Sequence, residues 1–444
     1  MHGTSFEMLP LGATSLARSL GDVAVPVVNG SVAGVVGHEV EVRGLRMRVG
    51  DAIAIDTAAG RRVGQVVSVR QGSVRALVMG DATGLGAGDR VTPIKGGLTF
   101  RVSESLIGRV LDGSGRPIDG GPPIEGELVT AEGTVPHPLA RRRIQTPLPT
   151  GVRLVDGLCT VGRGQRIGLF GGSGVGKSTL LGMIARGTEA EVTVLALIGE
   201  RGREVREFIE EDLGPEGLAR CVVVVATSDQ APLVRVRGAL VATRIAEWFA
   251  DRGQDVLLMF DSVTRVAMAQ REVGLAAGEP PTARGYTPSV FSLLPALMER
   301  TGPREHGTIT AIYTVLVDGD DMQEPIADAA RSILDGHLVL SRRMAESHRF
   351  PALDPLASLS RLAPRITEPE QRRSAGAMRN ALAAIEDVRD MVEVGAYVPG
   401  SNPEADRGMA AKGAIDAFLR QDMHEVAAYG DTWDRLHSIG RELS

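Results

Sequence analysis

The stretch Arg166-Ile167-Gly168-Leu169-Phe170-Gly171-Gly172-Ser173-Gly174-Val175-Gly176-Lys177-Ser178-Thr179 decides how the rest of the chain is read. An apolar run of strand character leads into a glycine-rich turn and then into residues that open a helix. From Gly171 to Ser178 the spacing is G-x-x-x-x-G-K-S, a phosphate-binding pattern. The glycines carry no Cβ, so the backbone N–H groups of Gly171, Gly172, Ser173, Gly174, Val175 and Gly176 can turn inward around an anion. A helix starting near Lys177 adds the positive end of its dipole. Lys177 can then reach β and γ phosphates, while Ser178, followed by Thr179, offers a hydroxyl to Mg²⁺. The alternative, a glycine-rich turn with a surface lysine, fits the composition poorly. Lys95, Lys177 and Lys412 are the three lysines among 49 Lys plus Arg. A chain that otherwise uses arginine has put a compact point charge in this loop.

At 444 residues the chain is too long for one compact domain, and two or three are expected. Hydrophobic residues make up 43% and aromatics 3%, so the core must be built from Val, Leu, Ile and Ala. A net charge of −6 argues against a dedicated binder of nucleic acid or anionic membrane. Two cysteines, Cys159 and Cys221, provide neither a disulfide framework nor a metal spacing and read as small core residues. No apolar run approaches the ~20 residues needed to span a bilayer, and Met1–Gly21 lacks the form of a secretion signal. A soluble cytoplasmic protein is the expectation.

Outward from the loop, the chain divides into regions of different pattern. Residues 1–21 carry Ala13, Leu16, Ala17 and Leu20 at helical spacing, a possible docking helix or a frayed terminus. Residues 22–97 hold short β-rich runs (Val23–Val28, Glu39–Val42, Ala52–Ile55, Val63–Val69, Ser73–Val78) and predict a small β-barrel or sandwich. Residues 98–150, rich in Gly, Pro and Arg, predict a wrapped connection with a hairpin near Arg109–Ile118; the triplet Arg141-Arg142-Arg143 reads as solvated surface. Within 151–365, five continuous apolar runs (Ile167–Phe170, Val192–Ile198, Val222–Val225, Val256–Phe260, Ile309–Val317) predict strands of a parallel sheet buried on both faces. Beyond 366 the pattern is helical, with Met378, Leu382, Ile385, Val388 and Met391 on one face. A second helix is expected after Ser401-Asn402-Pro403, capped by Ser401 or Asn402.

Ligands of open parallel sheets sit beyond the carboxyl ends of the strands, so acidic residues there are candidates. Asp261 ends its apolar run where a carboxylate can hold Mg²⁺ directly or through water. Glu200 ends the run Val192–Ile198 and its two following residues. It is either a carboxylate that orients water at a γ-phosphate or a surface partner of Arg201 or Arg203.

Four linked stretches resemble the catalytic subunits of rotary ATPases. They are Gly199–Glu204 (GERGRE), Leu257–Arg265 (LLMFDSVTR), Gly285–Arg300 (GYTPSVFSLLPALMER) and Arg349–Arg361 (RFPALDPLASLSR). The resemblance implies three parts: a small β-barrel over 22–97, a RecA-like α/β ATPase domain over 98–370 and a helical domain over 371–444. It also implies ATP and Mg²⁺ as ligands. By resemblance Glu200 polarises the attacking water, Arg201 is a phosphate-side arginine and Asp261 takes the Mg²⁺-linked position. Phe350 matches an aromatic that packs on adenine, where this family often has Tyr. Arg361 matches an arginine that reaches the γ-phosphate of a neighbouring subunit, so activity would require a homohexameric ring. The loop Val317–Met322 matches one facing a central shaft, although an acidic turn at a helix N-terminus fits its residues nearly as well.

Within that superfamily, Pro147–Arg153 with Gly162–Arg166, and Val394–Ser401, are similar to the ATPases of type III protein export, flagellar rather than virulence-associated. The implied partners are a coiled-coil stalk protein, a regulator, export-gate components, export substrates and chaperones. The implied location is the cytoplasmic face of the membrane, with peripheral association. Two other classes compete. A ring-shaped nucleic-acid motor would need stacking platforms, and residues 22–97 contain no Phe, Tyr or Trp. A proton-coupled synthase subunit would need an unlike partner.

Overall fold

A computed structural model of the chain describes residues 28–172, 174–317 and 321–444. The expected docking helix of residues 1–21 lies outside them, as do Ser173 and 318–320 of the shaft-facing loop.

Six antiparallel strands form a closed barrel in the order β1-β2-β5-β4-β3-β6. They are β1 Gly30–Val36, β2 Glu39–Arg43, β3 Ala52–Thr57, β4 Gly60–Arg70, β5 Ser73–Met79 and β6 Arg90–Ile94. Period-two patterning drives closure: Val40 and Val42 of β2 point inward, against Ile53, Ile55, Val74 and Val91. Two barrel strands, β1 and β6, escaped the sequence pattern. Of the run Val23–Val28 only Val28 is described, and it lies outside any strand.

The connection wraps as expected. β7 (Thr99–Val102) pairs with β9 (Glu127–Thr130), while β8 (Val110–Asp112) turns back on itself through Leu111 and Pro117. The triplet corrects the sequence expectation. Arg141 donates to the Thr301 carbonyl at 2.6 Å, and Arg142 donates to the carbonyls of Arg304, His306 and Gly307. Two of the three arginines are therefore staples holding the connection to the α/β body through its backbone carbonyls. A buried fork between Arg300 and Glu247, at 2.8 and 2.9 Å, adds a third fixing point through the Ala131 carbonyl.

The α/β body is a sheet in the order β17-β16-β10-β15-β13-β11-β12-β8, with β14 (Gly302–Pro303) on the flank of β15. Its remaining strands are β10 Arg166–Gly171, β11 Val192–Ile198, β12 Cys221–Ala226, β13 Asp255–Asp261, β15 Thr308–Leu316, β16 Gly336–Val339 and β17 Leu359–Ser360. All ladders are parallel except those of β14 and β17. The continuous apolar runs follow from burial on both faces: Val194, Ala196 and Ile198 of β11 enter one core, Leu195 and Leu197 the other. Both cysteines are buried, and burial pushes the Cys159 thiol up to about 11.

Of the C-terminal helices Pro369–Glu393, Pro403–Ala410, Lys412–Leu419 and Tyr429–Leu443, the first two follow the sequence pattern and the last two add to the helical region. Asn402 is the cap, accepting from the N–H groups of Glu404 and Ala405. Phe418, Trp433 and Leu436 share one core with Leu154, Val155 and Leu158, so the helices continue the α/β packing. Arg153, buried, donates to the Phe418 carbonyl and pairs with Glu425, and Gln421 bonds the Gly151 carbonyl at 2.7 Å.

Candidate nucleotide site

The carboxyl ends of β10, β11 and β13 converge on one cavity of about 470 Å³. Its wall includes Gly172, Gly174, Gly176, Lys177, Ser178 and Glu200. β10 delivers the glycine loop, which passes directly into the helix Lys177–Gly187. Gly176 sits at that helix's N-cap with φ of 91°, a left-handed conformation that a side chain would strain, so the loop needs glycine here. Gly171 and Val175 of the loop are buried, Val175 in the same core as Leu340, and a Cβ on Gly171 would fall 2.9 Å from Leu340. Thr179 borders both this cavity and the next.

Lys177 Nζ lies 2.6 Å from Asp261 Oδ1, which also accepts from the Thr314 hydroxyl at 2.7 Å. Glu200 Oε1 stands 3.9 Å from the same ammonium. One cation thus faces two carboxylates. Burial, and then the Asp261 charge, pushes the Glu200 carboxyl up to about 7, with Lys177 opposing. Glu200 Oε1 is buried without a hydrogen-bond partner, as is Arg265 Nε nearby. Buried polar groups are rarely left so, which marks this as a place where another molecule supplies partners.

Arg201 lines the same cavity, but its side chain is 79% exposed and pairs with Glu204 at 2.8 Å. The surface pair left open for Glu200 is not made: Arg201 pairs with Glu204 and Arg203 with Glu207, and Glu200 turns inward. Phe350 lines a second cavity of about 530 Å³ on the far side of Gly176, with Leu180, Met183, Pro351 and Ala352. A mainly apolar slot beside a phosphate loop suits a flat base. Arg361 lies in neither cavity. It follows β17, whose Ser360 pairs with Gly336 near the amino end of β10, and its guanidinium pairs with no carboxylate among the described residues.

The sequence of the region 151–360 matches the family described as ATP synthase alpha/beta family, nucleotide-binding domain, and 367–438 matches the T3SS EscN ATPase C-terminal domain. The flagellum-specific ATP synthase of Bacillus subtilis is 48% identical over 92% of this chain and 94% of its own. The type 3 secretion system ATPase of Xanthomonas euvesicatoria is 48% identical over 97% and 98%. The chain belongs to the flagellar and type III secretion ATPase family. The fold agrees: the assembled ATPase EscN of the enteropathogenic E. coli type III secretion system superposes with a TM-score of 0.88 at 42% identity, over 93% of this chain and 100% of that one. EscN in complex with its central stalk EscO superposes at 0.87.

Within this family member, several site residues were not singled out from sequence. Arg265 is carried four residues past Asp261 on the first turn of the helix Val263–Ala277, so the LLMFDSVTR stretch already held it. Gly199 has φ of 78°, and a Cβ there would fall 2.6 Å from that of Arg265, so the close approach of the two segments requires glycine. Thr314 had no sequence signal. It meets Asp261 because β13 and β15 pair with Phe260 opposite Tyr313.

Proposed function

We propose that this chain hydrolyses ATP with Mg²⁺ as a ring of six identical copies and energises or primes type III export of flagellar proteins. The observation that carries the reading is the cluster of Lys177, Asp261 and an inward, underbonded Glu200 above the glycine loop, with Arg361 outside it. The loop N–H groups and Lys177 hold the β and γ phosphates, and Phe350 packs on adenine. Glu200 orients and polarises the attacking water, Arg201 lies on the phosphate side, and Arg361 of the next copy meets the charge developing on the γ-phosphate.

Ser178 and Asp261 would hold Mg²⁺. The donors fit: a hydroxyl and one carboxylate, with no cluster of three acidic, His or Cys side chains among the described residues, match an ion that takes most of its ligands from phosphate and water. When bound, Mg²⁺ would neutralise charge on the β and γ oxygens.

That EscN is solved as an assembled ATPase, and with a central stalk, supports the ring and the coiled-coil stalk partner. A regulator, export-gate components, substrates and chaperones complete the proposed set of partners, at the inner face of the cytoplasmic membrane. No helix among the described residues is long and apolar enough to cross it. Flagellum-specific and type 3 secretion relatives match at the same 48%, so the branch rests on Pro147–Arg153 with Gly162–Arg166 and on Val394–Ser401. Two measurements test the proposal. Phosphate release from ATP should rise more steeply than linearly with protein concentration, tracking sedimentation into a six-copy species; constant specific activity from monomer upward would overturn the shared site. Deletion of the gene in its host should abolish filaments; normal swimming would favour the virulence-type alternative.

A further inference from the structure

The residues that precede the phosphate-loop strand also hold the arginine at the other end of the sheet. Gln165, one residue before β10, is fully buried. Its side-chain Oε1 accepts from Gly162 N–H at 2.8 Å, and its Nε2 donates to the Asp335 carbonyl at 3.1 Å and to Ser360 Oγ at 3.0 Å. Both acceptors are next to Arg361. The Asp335 carbonyl also accepts from the Arg361 backbone N–H at 3.0 Å, and Ser360 is its chain neighbour, donating in turn to the Thr160 carbonyl at 2.8 Å.

Asp335 is clamped to β10 as well. Its N–H donates to the Arg166 carbonyl at 2.8 Å, and its carboxylate accepts from Arg166 N and Nε at 3.1 and 3.2 Å. The seat is tight: a Cβ at Gly336, opposite Ser360, would lie 2.4 Å from the Leu359 carbonyl oxygen and 3.0 Å from Ile167. Ser360 and the backbone N–H of Arg361 are therefore held to the foot of β10, whose other end is the phosphate loop of the same copy.

We propose that Gln165 is the positioning residue for Arg361, seating the arginine that one copy extends to its neighbour on the strand that carries its own phosphate loop. This rests on the reading of Arg361 as the arginine that crosses to the neighbouring site. A buried amide that bonds both the residue before the arginine and the carbonyl that accepts its backbone N–H has this effect: it removes freedom from a long side chain whose base must be fixed before its tip can be aimed. Displacements of about 1 Å at such a base cost on the order of 10²-fold in rate.

The test uses full-length protein. Gln165→Glu keeps the volume and the acceptor for Gly162 N–H but deletes both donors and sets a carboxylate against the Asp335 carbonyl. Affinity for a fluorescent ATP analogue should be unchanged, KM for ATP should hold, and kcat should fall about 10- to 100-fold. Mixing with Lys177→Ala copies, which have an intact arginine and a disabled loop, should restore part of the activity. Arg361→Ala mixed in the same way is the control. If Arg361→Ala is rescued and Gln165→Glu is not, Gln165 acts on its own phosphate loop and the proposal is overturned; weakened nucleotide affinity or an unchanged kcat overturns it too. If Arg361→Ala is not rescued, the crossing arginine itself fails and takes the proposal with it. Should Gln165→Glu not fold, Ser360→Ala, which removes only one hydroxyl of the same seat, is read by the same criteria.

Discussion

The two ends of β10 are built on opposite principles. At its carboxyl end Lys177 faces Asp261 and Glu200, and Glu200 Oε1 and Arg265 Nε are buried with no partner. At its amino end every polar atom of the Gln165 and Ser360 side chains has one, and Arg166 Nη1, buried without an aligned hydrogen bond, is paired with the Glu299 carboxylate at 2.6 Å. A buried polar atom left unbonded costs about 1–3 kcal/mol. A protein carries that cost where a ligand will supply the missing bonds and avoids it where the task is to hold geometry. The upper end is thus a receptor for charge, and the lower end is a mount.

The most severe way to break that contrast is Lys177→Ala. It leaves two carboxylates facing each other and removes the point charge from the phosphates, so ATP turnover should fall below detection in a phosphate-release assay. Unchanged turnover would refute the phosphate-loop assignment. Arg361→Ala comes next, with a loss of about 10³-fold or more in kcat. Because Arg361 lies outside both cavities, the variant should fold and bind nucleotide normally by isothermal titration. Reduced binding in isolated copies would place the arginine in its own copy's site.

Glu200→Gln probes the underbonded carboxylate and should lower kcat by about 10²- to 10³-fold with ATP binding retained; near-normal turnover would make the glutamate structural. The pH profile sharpens this. A glutamate ordinarily titrating near 4.5 is raised to about 7, so protonation removes the base below that pH instead of below the usual range. Wild-type kcat/KM should therefore decline on the acid side of about 7, approaching about tenfold per pH unit. The residual activity of Glu200→Gln should lack that limb, and an identical limb in both proteins would assign it to another group.

What was legible in the sequence follows from the range of the interactions. The loop Gly171–Thr179, Asp261 and Glu200 each sit at the end of a local apolar run, and local runs announce themselves. Thr314 meets Asp261 53 residues away and Gln165 donates to Asp335 and Ser360 at 170 and 195, and pairing at that distance leaves no local pattern. β16 was missed because four residues cannot show a period, and β8, inside the expected hairpin, gave no sign of its pairing with β12 at the edge of the α/β sheet. Arg141 and Arg142 were misjudged as solvated because their acceptors are backbone carbonyls near residues 299–307, which carry no side-chain signature. The C-terminal helices were legible as helices, but their merger with the α/β core through Phe418 and Trp433 was not.

The mildest test concerns the mainly apolar cavity beside the loop, where Phe350, Leu180, Met183 and Pro351 stand with Arg420 and Asp422 at the wall. Phe350 is 45% exposed and touches His348 edge-on with ring centroids 6.4 Å apart, so its ring contributes little to the core of the free protein. Its worth should appear only when a base covers it, and base–aromatic stacking is worth about 1–3 kcal/mol. Phe350→Ala should therefore raise KM for ATP about tenfold while leaving kcat within about twofold. Phe350→Tyr keeps the ring and should stay near wild type. If Phe350→Ala instead lowers kcat at constant KM, the ring acts on the chemistry at the loop and not on the base, and the division between a charged receptor and an apolar slot does not hold.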